Sequence, residues 1–167
     1  MTQATMRGGS SPAVREWELR LARWLARHSI TLLRMSLGVI FLGFGVLKFV
    51  PGLSPAEPLA ADTMQILTLG LLPERIGVLI VAALESTIGF LLLTGLLMRI
   101  ALALLAVEMV GIMSPLVLLP GAMFEENLAP TLAGQYVIKD IIIGAAGLVI
   151  AAQRLGARLI VESPPDH

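Results

Sequence analysis

Four long apolar runs, at residues 30–50, 76–97, 100–119 and 133–152, constrain this chain more than any other feature. A hydrocarbon core about 30 Å thick is crossed by about 20 helical residues, and each run has that length. Composition agrees, with 56% hydrophobic and 14% charged residues and a mean hydropathy of +0.86, outside the range of soluble domains. The runs lack the strict polar alternation of a barrel wall, so helices are expected rather than strands. The expected fold class is all-α, an integral membrane four-helix bundle with an N-terminal amphipathic interfacial helix.

The flanks divide the rest of the chain. Residues 1–11 are small and polar and read as a flexible N-terminus, 12–29 as the amphipathic helix, 30–155 as the four-helix domain and 156–167 as a cytoplasmic tail. At 100° per residue, Val14, Trp17, Leu21, Trp24 and Leu25 fall on one face, and Glu16, Arg20, Arg23 and Arg27 on the opposite one. Trp17, Trp24, Arg20, Arg23 and Arg27 are therefore candidate interfacial anchors, with membrane lipids as partner; docking on a cytoplasmic protein is the competing reading. The first 29 residues hold five arginines and no apolar core, so the first span is expected to act as an uncleaved insertion signal. Lys and Arg are concentrated in the N-terminal segment, at Arg99, and at Arg154 and Arg158, which places both termini in the cytoplasm.

The connections carry their own signals. Pro51 to Arg75 is long for a loop, and Ser54-Pro55-Ala56-Glu57 has the capping-box pattern, although Pro58 also allows a later helix start. Leu59, Ile66, Leu67 and Leu71 suit an outer surface or the mouth of the bundle. Gly95 and the short turn through Arg99 make the second and third spans antiparallel neighbours. Pro115 is expected to kink the third span and free the Gly111 carbonyl, within one turn of Glu108.

Six ionisable residues fall inside the runs: Arg34, Lys48, Glu85, Glu108, Lys139 and Asp140. Each costs about 2.5–3.5 kcal/mol at a helix centre unless paired or hydrated. Arg34 is close enough to the cytoplasmic end to extend toward headgroups. Arg34, Gly38, Phe41, Gly45 and Lys48 share one helix face, which should point inward. Glu85 and Glu108 lie near mid-membrane, where a proton or a cation must compensate them. Lys139 is the nearest cation by depth, so one arrangement pairs Lys139 with a glutamate and Asp140 with Lys48. The candidate site is thus a buried charge cluster of Lys48, Glu85, Glu108, Lys139 and Asp140. It serves either as polar glue or as a proton, ion or headgroup site.

Other chemistries lack residues. The chain has no cysteine, and its two histidines, His28 and His167, stand outside the spans, so haem ligation by paired histidines within the bundle and thiolate metal sites are excluded. Glu85, Glu108 and Asp140 lack the Glu-x-x-His pattern of di-iron bundles, and no metal site is assigned. Nucleotide, serine-hydrolase and nucleic-acid signatures are missing.

The stretch LLRMSLGVIFLGFGVLKF, the later LESTIGFLLLTG, and GQYVIKDIII at the start of the fourth run together resemble the DoxX-like superfamily of small four-helix bacterial membrane proteins, whose relatives include YkgB-type proteins linked to reactive chlorine resistance. The resemblance spans roughly residues 30–155. It implies the bacterial inner membrane and association with terminal oxidase, thiosulfate:quinone oxidoreductase or oxidative-stress assemblies. The expected function is an accessory subunit of a redox or energy-converting complex, not catalytic alone, with a quinone as the compatible cofactor and other membrane subunits or further copies as partners. The alternative is a small proton-coupled carrier or channel that uses Glu85 and Glu108.

Overall fold

A computed structural model describes residues 12–161, so the expectations for 1–11 and for the tail beyond 161 lie outside the described residues. Helix α1 runs unbroken over Pro12–Leu47, a length of about 54 Å at 1.5 Å per residue. The expected boundary between an interfacial helix and the first span is not a break in the backbone. After Pro12, which suits a first helical position, neither Gly nor Pro occurs until Gly38, so nothing in the sequence stops the helix at residue 29. The segment keeps its two faces: Trp24 stacks on His28 with ring centroids 4.9 Å apart, and Arg20 reaches Glu16 at 3.5 Å.

Helix α2, Glu57–Leu67, starts at Glu57 with Pro58 in its first turn. The capping box does not close. The Glu57 carboxylate instead accepts from the Gly52 amide at 2.7 Å and from Arg75 at 3.2 Å. Ala61 and Thr63 are the buried positions of α2, while Ile66, Leu67 and Leu71 stay exposed.

Helix α3, Glu74–Thr94, ends at Gly95, whose φ of +75° gives the left-handed cap that turns the chain directly into α4, Met98–Met113. The third span is interrupted at Ser114 and resumes as α5, Pro115–Leu118. The Gly111 carbonyl that the proline frees is taken locally, because Ser114 donates its hydroxyl to it at 2.7 Å. It is therefore not left open beside Glu108. After α6, Pro120–Met123, an isolated bridge joins Phe124 to Pro130. Thr131 then caps α7, Leu132–Lys139, by accepting from the Gly134 amide at 3.1 Å. The fourth span is interrupted at Asp140 and continues as α8, Ile141–Arg154.

Among the described residues four stretches are long and apolar enough to cross a membrane: Val14–Leu47, Glu74–Thr94, Met98–Leu118 and Leu132–Arg154. They close a ring in which α1 packs on α3, α3 on α4, α4 on α8 and α8 on α1, and α2 lies against α3. The order is up-down-up-down, as short connections demand. Ile88, Leu92, Ala101, Leu105 and Ile150 fill its centre, each no more than 2% exposed.

Lipid gives helices no hydrophobic reason to associate, so close packing has to do it. The α1–α3 contact shows how. A Cβ on Gly45 would stand 2.6 Å from the Ser86 amide, one on Gly38 would stand 3.0 Å from the Leu93 amide, and one on Gly89 would overlap the Leu42 backbone. Gly89→Ala should therefore lower stability by about 1–3 kcal/mol, as overpacking does. Gly43→Ala, with nothing within 4 Å, should stay within about 0.5 kcal/mol of the parent. Unfolding in detergent titrated with a denaturing detergent measures both, and equal effects would contradict the close contact.

Candidate functional site

The site is built where α1 ends against the middle of α3. Lys48 follows the last turn of α1 and is 3% exposed; Glu85 is 8% exposed. The Lys48 ammonium donates to Glu85 Oε2 at 2.6 Å. Because the Gly45 side of α1 lies directly on Glu85 and Ser86, the lysine needs only its own length to reach the carboxylate. Separately, each charge would be stranded in an apolar interior; together they make a short charge-assisted hydrogen bond.

Two arginines fix the register of these helices. Arg75, at the start of α3, donates to the Lys48 carbonyl at 3.1 Å and to the Phe49 carbonyl at 2.6 Å, covering the C-terminal end of α1. Arg34, in α1, donates to the Leu92 and Leu93 carbonyls near the C-terminus of α3. Each helix thus supplies the cation that satisfies the terminal carbonyls of the other. Arg34 lies near a span end, as expected, and turns one side of its guanidinium to the α3 carbonyls.

Glu108, on α4, is 7% exposed and lies within electrostatic range of both Glu85 and Lys48. Among the described residues its carboxylate makes no hydrogen bond or ion pair. Asp140, at the interruption between α7 and α8, is half-buried and lies within electrostatic range of Glu85. It does not pair with Lys48, whose ammonium is bonded to Glu85.

Lys139 is not part of the cluster. It is exposed, with its ammonium 5.7 Å from the centroid of the Tyr136 ring. Gly134 and Val137 face inward on α7, and Asp140 continues that face, so the residue before Asp140 is turned outward by about 100°. The expected pairing of Lys139 with a glutamate is corrected accordingly.

The other expected positions are distributed along the bundle. Pro115 is buried at the α4–α5 interruption, and Trp17, Trp24, Arg20, Arg23 and Arg27 are all exposed on α1. Sequence reasoning missed the buried hydroxyls of Ser54 and Ser86, neither of which has a hydrogen-bond partner. The adjacency of Ser86 to Glu85 and its place opposite the glycine face were the available signal. Among the described residues no group of three or more His, Cys, Asp or Glu side chains is arranged to hold a metal ion.

An all-α bundle with four membrane-length helices and an interior ion pair defines a small multi-pass membrane protein. The sequence model of the DoxX family matches residues 29–121, more than half of the chain, and the chain belongs to that family. The match contains Lys48, Glu85, Glu108 and Pro115 but stops before Lys139 and Asp140, short of the 155 to which the resemblance was drawn. No curated protein and no solved structure gives a match.

If Lys48 and Glu85 compensate each other, Lys48→Met and Glu85→Gln should each cost about 3–5 kcal/mol, because each leaves a buried group unpaired. The double variant should cost clearly less than their sum. Lys139→Met should be nearly silent. Additive losses in a double-mutant cycle on detergent-solubilised protein would exclude the pairing.

Proposed function

We propose that this protein is an accessory subunit of a redox or energy-converting complex in the bacterial inner membrane, with both termini in the cytoplasm. In this reading its interior charges serve a proton or quinone-headgroup site. The observation that carries the reading is Glu108, a buried carboxylate without a hydrogen bond or ion pair, beside a completed Lys48–Glu85 pair. A cluster meant only as polar glue has no use for a third charged group left unmatched. The DoxX family assignment supports a redox setting.

A quinone offers two carbonyl acceptors, for which Ser54 is a buried hydroxyl without a partner; Ser86 is packed so closely on Gly45 that a headgroup has no room between them. When bound, a quinone would supply the two-electron redox chemistry. The chain's own part would be to donate a hydrogen bond from Ser54 and hold or pass a proton at the Glu108 carboxylate. The arrangement resembles a place of exchange more than a catalytic centre that acts alone.

Gentle solubilisation of native membranes should recover the protein with larger redox-active subunits. Glu108→Gln should leave that assembly intact and lower its quinone turnover by about 100- to 10,000-fold, the range for loss of a proton-transfer group. Isolation as a homo-oligomer that gives pH-dependent flux in liposomes would overturn this reading in favour of a proton-coupled carrier.

A further inference from the structure

The end of the bundle opposite the Lys48–Glu85 pair holds a second charged feature. A cavity of about 740 Å³ opens between α1, the end of α8 and the segment that follows it, lined by Arg27, Ile30, Gln153, Arg154 and Arg158 among others. A smaller one of about 290 Å³ adjoins it, sharing Gln153 and Arg154 and adding Thr31, Arg34 and Met98. Four arginines from three chain segments therefore border this two-part recess, and among the described residues no carboxylate lines either part.

We propose that this recess binds the headgroup of an anionic phospholipid. The arginines repel one another unless an anion lies between them, and a guanidinium presents the planar donor pair that a phosphate oxygen pair accepts. Arg34 is held in place by its bonds to the Leu92 and Leu93 carbonyls, so one donor in the inner part is preorganised. Depth argues for a lipid over a free anion. Arg27 stands one turn before Ile30, and Arg154 one turn after Ile150, both buried residues of the apolar spans. The recess thus sits where helix interior gives way to headgroup layer. Ile30 and Leu159 border it, and exposed Leu155 and Ile160 flank it, giving acyl chains an apolar path away from the charges. A basic pocket between transmembrane helices is the usual form of such a site.

The test uses the full chain in phosphatidylcholine nanodiscs, doped with phosphatidylglycerol or cardiolipin and read by native mass spectrometry after release. The parent protein should retain the anionic lipids in preference to phosphatidylcholine. Arg27→Gln with Arg154→Gln should weaken that retention about 30-fold, as loss of two surface cations does. Arg20→Gln with Arg23→Gln, which removes the same charge from interfacial anchors outside the recess, should weaken it clearly less. Arg34 is left intact because it caps α3.

Equal loss in both double variants would reduce the effect to general surface attraction and overturn the proposal. So would a parent protein without preference for anionic lipid, a comparison that requires no variant. Retention of inorganic phosphate but not lipid, in phosphatidylcholine alone, would assign the recess to a free anion instead.

Discussion

The hydrogen-bonded pair of Lys48 and Glu85 is the interaction around which the bundle is organised. Neither charge is more than 8% exposed, and neither is tolerable there alone. Their union requires α1 and α3 to lie antiparallel, at one register, and at close approach. Gly38, Gly45 and Gly89 permit that approach, since a side chain at any of them would meet the opposite helix. Small residues alone would allow several registers. The ion pair makes most of those costly, because a slip of one turn would strand both charges.

The same register is required by the backbone. A helix end inside or near hydrocarbon leaves carbonyls that water cannot reach, and each unsatisfied carbonyl costs several kcal/mol. In this chain α1 and α3 solve the problem mutually: Arg75 covers the end of α1 and Arg34 the end of α3. The interruptions in the other two spans differ in how they are managed. At Ser114 the residue's own hydroxyl takes the carbonyl freed by Pro115, so the break is closed locally. At Asp140 the side chain provides no cap, and the carboxylate remains half-buried near Glu85. The backbone around Asp140 is itself hydrogen-bonded, so what this interruption adds to the charge cluster is the uncommitted carboxylate.

The spans were readable because their signal is summed over about 20 residues, and no single misread position changes it. The inward face of α1 was readable for a similar reason, since Gly38, Phe41, Gly45 and Lys48 recur at helical spacing and all four are buried. Pairing was harder. Depth along the sequence made Lys139 the nearest cation to the glutamates, but partner choice depends on which way a residue turns, and Gly134 and Val137 commit α7 to a face that excludes it. Arg34 and Arg75 were visible as charges but not as caps, because a cap's partner is a backbone carbonyl, which any sequence supplies equally. The amphipathic pattern before Ile30 was real, yet amphipathicity describes faces and says nothing about where a helix bends. The absence of Gly and Pro from residues 13–37 was the relevant signal, and it points to the continuous α1.

The two ends of the bundle handle charge in opposite ways. Toward the Lys48 end, carboxylates outnumber the cations that can reach them: Glu85 is matched, whereas Glu108 and Asp140 have no cation of their own among the described residues. At the other end Arg27, Arg34, Arg154 and Arg158 border a recess that no carboxylate among the described residues lines. Arg27, Arg154 and Arg158, three of the residues behind the expected cytoplasmic placement of this end, also border the recess. An excess of arginine that only directed insertion could be scattered along any connecting segment. Gathered instead by α1, α8 and the chain beyond α8 into one recess, it is placed to act after insertion as well as during it.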